Sequence, residues 1–315
     1  MFSNSETTNF HLLGRKGLAK VSLMFVLLVA SIVTQAATWV VTYPGPTYEG
    51  DERNKYPEAL LKLALEKTGV RYKLVPSERI RNQGKAIRQL RENIEVNVVW
   101  SMTDRQREDD LLPIRIPIAK GLIGWRVLLT HQNKPFYTKV VTSLDDLLAY
   151  SPVQGVDWPD TKILQANGFN VLGAQNHVEA ASLLSRQQAD FYPRSVIEAF
   201  DELGQANADP DVKLKSGIAL QYKAAMYFFV NRNNVTLARL LELGLRRAID
   251  DGSFDQLFYE YHGNILKQLS LNDITFFELD NPLLPLKTPV LEAKYWYQPG
   301  QYEATLSSEI PNILD

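Results

Sequence analysis

Residues 96–108 read VNVVWSMTDRQRE. Val96, Val98 and Val99, followed by Trp100, make a short buried strand, because β-branched and aromatic side chains fit a pleated, covered sheet. The apolar run stops at Ser101, Met102 and Thr103, and Asp104, Arg105, Arg107 and Glu108 then bring charge. An apolar strand running into a polar loop is how open α/β sheets build binding crevices, at the carboxyl ends of their strands. The competing reading is a buried strand with an ordinary solvated exit.

Upstream the alternation continues. Residues 38–43, TWVVTY, form a strand closed by Pro44-Gly45-Pro46. Residues 56–67 form a helix whose end is set by Thr68-Gly69, where glycine takes the left-handed position. Residues 72–75 form a strand ended by Pro76, and residues 80–91 a helix with Gly84 on its apolar face. Strand, helix, strand, helix, strand implies parallel pairing with right-handed crossovers. Downstream, residues 121–130 form a strand that leads into a polar crossing at residues 131–135. Ser143 is placed to cap the next helix, and αβ alternation resumes: strands at 153–156 and 189–192, the latter broken by Pro193, with helices at 161–167, 178–187 and 196–203. Residues 224–230, AAMYFFV, form a strand that meets a second polar crossing at residues 231–234. The clearest helix spans residues 236–250, with a short one at 254–261. From Leu271 the chain is rich in Pro, Asn and aromatics and reads as an irregular wrap over the first lobe.

The 315 residues are 45% hydrophobic and 22% charged, ordinary globular material with ample core. The net charge of -2 and the lack of a basic run exclude nucleic acid as a partner. With no cysteine, a disulfide framework, a thiol nucleophile and a Cys-ligated metal are excluded. Arg15, Lys16 and Lys20 precede an apolar stretch at residues 21–33, and Thr34-Gln35-Ala36 offers small residues for cleavage before Ala37. That reads as a secretory signal peptide over residues 1–36, too short for a comfortable membrane span, with an uncleaved anchor as the competing reading.

No G-x-S-x-G, G-x-G-x-x-G, P-loop or H-E-x-x-H sequence occurs, so no cofactor and no catalytic residue are assigned. His131, His177 and His262 stand isolated without metal spacing and read as surface or capping residues. Asp109-Asp110 and Asp145-Asp146 are neighbours in sequence only and read as solvated faces.

Two αβ lobes joined by two polar crossings behind a signal peptide resemble a periplasmic solute-binding protein of the type II class, similar to the family of polar amino acid binding proteins. Four local matches carry the resemblance: Trp100-Ser101-Met102-Thr103-Asp104, Ser143-Leu144-Asp145-Asp146-Leu147, Gln188-Ala189-Asp190, and residues 240–261 with Asp251-Gly252 and Phe254. The resemblance implies a bilobal α/β fold with a ligand cleft and hinge closure. It implies a first lobe at residues 37–129 and 231–300, a second at 130–230 and a tail at 301–315. It implies a non-enzymatic, monomeric periplasmic protein that captures a small polar solute for an ABC-type transporter. A sensor module reporting to a membrane partner, or a dehydratase-like enzyme on the same fold, is the alternative. In amino acid binders an arginine three residues after the loop threonine grips the ligand carboxylate; here that place holds Gln106, between Arg105 and Arg107. Ser195 stands where their second lobe usually offers an aspartate, so the ligand is not read as an amino acid.

Tyr43, Trp100, Ser101 and Thr103 are expected on the first-lobe wall and Asp157, Trp158, Arg194 and Ser195 on the second, the tryptophans serving either cleft or core. Arg79, Arg105, Arg107 and Arg194 gather at strand ends, and a guanidinium grips carboxylate or phosphate with two parallel bonds. An anionic or zwitterionic solute is therefore expected, held chiefly by Arg79 and Arg194, with only one of Arg105 and Arg107 facing the cleft and the other paired to Glu108 or Asp109. Mass measurement of the exported protein is expected to show Ala37 as its first residue; an intact Met1 terminus would refute cleavage.

Overall fold

Asn97 shows how the first strands are joined. Its side-chain oxygen accepts from the Thr42 amide at 2.8 Å and its Nδ2 donates to the Val40 carbonyl at 2.9 Å, while its own amide bonds the Thr42 carbonyl at 2.9 Å. One amide side chain thus continues a ladder that the backbone leaves incomplete. The computed structural model describes residues 37–46, 51–78, 83–205, 208–268 and 274–299. The chain divides after Thr38 into two units, and every described element lies in the second. The expected leader at residues 1–36 and the tail at 301–315 fall outside the described residues.

In the first lobe, β1 (Trp39–Pro44) and β2 (Tyr72–Ser77) pair in parallel, as expected from the connecting helix Lys55–Thr68. That helix ends at Gly69, whose φ of 76° is the left-handed conformation the sequence called for. Helix Gln83–Arg91 follows, its expected start lying outside the described residues. β3 (Val99–Met102) runs three residues beyond Val99, and it pairs antiparallel with β10 (Met226–Asn231), not parallel with its sequence neighbours. β4 (Leu111–Ile114) pairs with the other edge of β10. Local patterning signals a strand, but its partner lies more than a hundred residues away.

The second lobe is built on the order β11-β9-β5-β8, from β5 (Trp125–His131), β8 (Tyr192–Ser195), β9 (Val212–Gln221) and β11 (Thr275–Glu278), beside the parallel pair β6 (Val153–Gly155) and β7 (Leu172–Ala174). This corrects three expectations. β5 belongs to this sheet, so the chain crosses at residues 115–124 and His131 is inside a strand, not at a hinge. It returns at residues 222–225, so Asn231 ends a first-lobe strand and Asn234 caps helix Val235–Asp250. The segment after Leu271 adds β11 to the second-lobe sheet. Pro193 does not break β8, because β8 is an edge strand and proline needs only one unpaired side. Ser143 caps its helix as expected, accepting from the Asp146 amide at 3.1 Å while Asp146 accepts from the Ser143 amide at 3.1 Å.

Helices Lys55–Thr68 and Val235–Asp250 pack at glycine distance. A Cβ on Gly244 would lie 1.8 Å from the Ala64 carbonyl oxygen, so the backbones touch. Gly244→Ala gains about 1 kcal/mol in helix propensity, yet the forced separation is expected to win, with a net loss of about 1–3 kcal/mol in denaturant unfolding. Unchanged or increased stability would refute the close contact.

Candidate functional site

A cleft of about 200 Å³ lies between the lobes. From the first lobe, Trp100 reaches it from β3 and Gln83 and Gly84 from the start of their helix. From the second, Asp157, Trp158 and Asp160 stand at the start of helix Pro159–Ala166, and Gln175, Asn176 and His177 at the start of helix His177–Ser185. Two helix starts thus face the cleft, each with its positive end. Asn176 caps the second, its side chain accepting from the Glu179 amide at 2.9 Å.

Trp100 serves both cleft and core. It lines the cleft while its ring meets Phe228 edge-on at 6.3 Å and Tyr43 at 5.7 Å. Tyr43 itself is buried behind it, and burial, with Glu58, pushes its hydroxyl pKa up. Ser101 and Thr103 are buried too: Ser101 Oγ accepts from Arg107, and Thr103 Oγ1 donates to Glu108 at 2.9 Å.

Of the two candidate arginines, Arg105 is exposed and Arg107 is buried. Asp104 caps their helix, accepting from the Arg107 amide at 2.7 Å, and this turns the Arg107 side chain back onto β3. Its Nη1 donates to Ser101 Oγ at 2.8 Å and the Met102 carbonyl at 2.7 Å. Its Nη2 donates to Gln83 Oε1 and, across the lobes, to the Asp157 carbonyl, both at 3.0 Å. Arg107 is therefore a strut between lobes. Burial draws its pKa down against the pull of Asp104, Asp160 and Asp157. The expected pairing of Arg105 with Glu108 or Asp109 is not the one seen, since Glu108 binds Arg115 at 2.5 Å.

Arg194 lines the cleft but is already held. Glu202 accepts from its Nε at 2.9 Å and its Nη2 at 2.6 Å, and Glu198 lies 3.2 Å away. The guanidinium lies over the rings of Trp158 and Tyr192, 5.3 and 5.0 Å from their centres. Trp158 lies flat on Gly155, where a Cβ would come within 2.5 Å of the ring. Ser195 is fully buried and donates to the Leu122 carbonyl at 2.8 Å, so it ties β8 to the crossing segment and does not face the cleft. Arg79 lies outside the described residues.

Sequence reasoning missed Arg126, whose signal was a guanidinium inside the apolar strand WRVLL. It is 2% exposed, pairs with Asp160, and donates from Nε to Tyr222 Oη at 2.9 Å; Tyr222 in turn donates to Asp160. It also missed Asp51, Arg53, Gln83 and His177. The three histidines expected at the surface are largely buried. His131 and His262 are 4% and 7% exposed, because each lies on an apolar face that a lone histidine does not reveal. His177 Nδ1 lies 3.1 Å from Tyr192 Oη, and burial, with Arg194 and Arg53, pushes its pKa down to about 4.

The cleft lining carries Arg53, Arg126 and Arg194 against Asp51, Asp157, Asp160 and Glu198, so both signs are present. Among the described residues, His131, Asp209 and Asp211 are close enough to share a cation, but they lie at the far end of β5, where His131 Nδ1 accepts from the Asn133 amide and Asp209 Oδ1 from the Asp211 amide.

No protein-family model and no curated protein matches the sequence. Solved structures do match in fold. The BvgS periplasmic VFT2 domain of Bordetella pertussis is 17% identical, with 77% of this chain and 97% of that chain covered and a TM-score of 0.57. An ancestral arginine-binding protein bound to arginine is 18% identical, covering 71% and 97%, with a TM-score of 0.53. An arginine-specific periplasmic binding protein of Salmonella typhimurium is 14% identical, covering 72% and 99%, with a TM-score of 0.52. The fold is that of type II periplasmic binding proteins, two αβ lobes about a cleft, and the structures it resembles are binding proteins and sensor domains. No helix among the described residues is long and apolar enough to cross a membrane.

Glu202→Gln leaves Arg194 buried without its bidentate partner and is expected to lower stability by about 3–5 kcal/mol. Denaturant unfolding measures this, and a loss no larger than that of an exposed pair would refute it. The parent has a pH signature as well. His177 is neutral in the fold, whereas the unfolded chain binds a proton below its ordinary pKa near 6.5, so stability falls as pH drops from about 6.5 to about 4. His177→Gln is expected to flatten that slope; an unchanged slope would show the group is not titrating there.

Proposed function

We propose that the protein is a periplasmic receptor that closes its two lobes over a small zwitterionic solute and delivers it to a membrane transporter. One observation carries the reading: Arg107 of the first lobe bonds the Asp157 carbonyl of the second beside a cleft that presents both signs of charge. A purely anionic solute is less well served, because Arg194 and Arg126 already hold Glu202 and Asp160 and an anion must compete with them. The Asp157 carboxylate faces the cleft from the second lobe beside Gly84, available to a cationic group. The leader at residues 1–36 supports export, and the fold's resemblance to amino acid and arginine binding proteins supports a small polar ligand.

A sensor reading has its own observation. The segment after β11 touches both crossings: the Tyr297 amide donates to the Lys120 carbonyl at 2.8 Å, and Asn281 Nδ2 to the Lys223 carbonyl at 2.8 Å. Closing the lobes would pull on this strap, a route for reporting occupancy. Uptake of labelled solute by cells lacking the protein separates the two roles, since only a transport receptor is needed for uptake.

A thermal-shift panel of anionic, zwitterionic, cationic and neutral solutes is expected to single out zwitterions. Small-angle scattering with the best hit should then show compaction, and the solute should be recovered unchanged. Stabilisation by a neutral sugar or a dianion alone, or an unchanged scattering profile at saturation, would overturn the reading. Trp158→Phe should weaken the hit's affinity about tenfold if that ring is a cleft wall.

A further inference from the structure

The negative end of a zwitterion needs a donor, and the arginines around the cleft are committed elsewhere. Arg194 is forked onto Glu202, and Arg126 is shared between Asp160 and Tyr222. Arg107 bridges the lobes, and Arg53 is gripped by Asp51 through two bonds of 2.7 Å. A neutral donor remains. His177 opens helix His177–Ser185 and lines the cleft from the second lobe, with its side chain 10% exposed.

Tyr192 fixes which ring nitrogen carries the proton. Its hydroxyl is buried, and burial raises its pKa, so it stays an O–H in need of an acceptor. Among the described residues its one hydrogen-bond partner is His177 Nδ1, at 3.1 Å. A proton on Nδ1 would leave the Tyr192 hydroxyl with nothing to donate to. Tyr192 therefore donates, Nδ1 accepts, and the proton of the neutral imidazole sits on Nε2. That N–H meets no acceptor among the described residues. Unlike His262 Nε2, it is not shut inside the protein.

The surroundings favour an oxyanion at this N–H. The helix start directs its positive end there, and the amides of His177 and Val178, the first two of the helix, have no intrahelical acceptor. Asn176 commits its side-chain oxygen to the Glu179 amide, which leaves its Nδ2 as a further donor. Arg194 and Arg53 both disfavour a proton on the imidazole, so positive potential reaches the ring although their own bonds are made. Glu202 lies 3.7 Å from Nδ1, on the side of the ring away from Nε2, and is matched by Arg194.

We propose that His177 receives the carboxylate of the captured solute, its Nε2–H donating to one oxygen at the start of this helix. This rests on the solute-receptor reading for the cleft and leaves the cationic end to Asp157. The test uses the full chain near neutral pH, imidazole ¹⁵N and ¹H resonances, and sodium acetate as probe. The free protein is expected to hold His177 as the Nε2–H tautomer. Acetate should move that resonance to saturation while His262 stays fixed. Sodium chloride at equal ionic strength, and methylammonium chloride, which has no acceptor oxygen, should leave it in place. His177→Phe keeps a ring and removes the donor; followed at the Val178 amide, it should bind acetate about tenfold more weakly. His177→Gln, which keeps an N–H, should recover most of the loss. If His177→Phe does not fold, the tautomer and the acetate response of the parent still decide. An Nδ1–H tautomer in the free protein, a resonance that acetate leaves unmoved or that chloride moves equally, or a His177→Phe variant that binds acetate like the parent would overturn the assignment. If a zwitterion of the panel stabilises the parent and His177→Phe alike, the His177 assignment falls and the receptor reading stands. If acetate binds at His177 while no solute of the panel stabilises the protein, the receptor reading falls instead.

Discussion

A buried guanidinium is tolerated only when its donors meet acceptors and its charge meets a carboxylate; otherwise desolvation costs several kcal/mol. Three arginines around the cleft meet this condition in three ways. Arg194 is forked onto Glu202 and lies over the rings of Trp158 and Tyr192. Arg126 shares Asp160 with Tyr222. Arg107 lies 3.5 Å from the Asp104 carboxylate and donates from its Nη atoms to Ser101 Oγ, Gln83 and two main-chain carbonyls. The wall of the cleft is therefore a set of side chains fixed by each other, a preorganised surface on which little must be rearranged when a ligand arrives.

That arrangement decides what the cleft can select. Arginines already neutralised by carboxylates do not make an anion trap; they make a polar wall whose remaining demand is set by groups left over. Asp157 is such a group, and its carboxylate is an acceptor. The aromatic surfaces of Trp100 and Trp158 add area to the cleft wall without charge.

Motion is constrained by the same economy of contacts. The crossings at residues 115–124 and 222–225 are short, and the segment that follows β11 is bonded to both. Trp296 lies against Gly121, where a Cβ would come within 2.4 Å of the ring, and Lys223 stands 5.7 Å over that ring. Gly121 has a φ of 77°, so it supplies both the left-handed turn and the space for the indole. Crossings and strap form one bonded unit, so a change in the separation of the lobes would have to carry the strap along or slide past it.

The sequence by itself determined the αβ alternation, the helix ends at Gly69 and Ser143, and a strand through Trp100, because each rests on residues within a few positions of one another, although that strand runs on through Ser101 and Met102 where a polar loop was expected. It also pointed to Asp157, Trp158 and Arg194 at the cleft, since strand ends in this architecture face the crevice. Only the tertiary structure decided that β5 joins β8 and β9, that β3 lies against β10, that Arg194 is committed to Glu202 while Arg107 is a strut, and that His262 is buried with no partner at Nε2 among the described residues. Strand pairing and charge compensation are chosen among distant segments. The Arg126–Tyr222 bond spans 96 residues and the Arg107–Asp157 bond spans 50, so no local pattern records them.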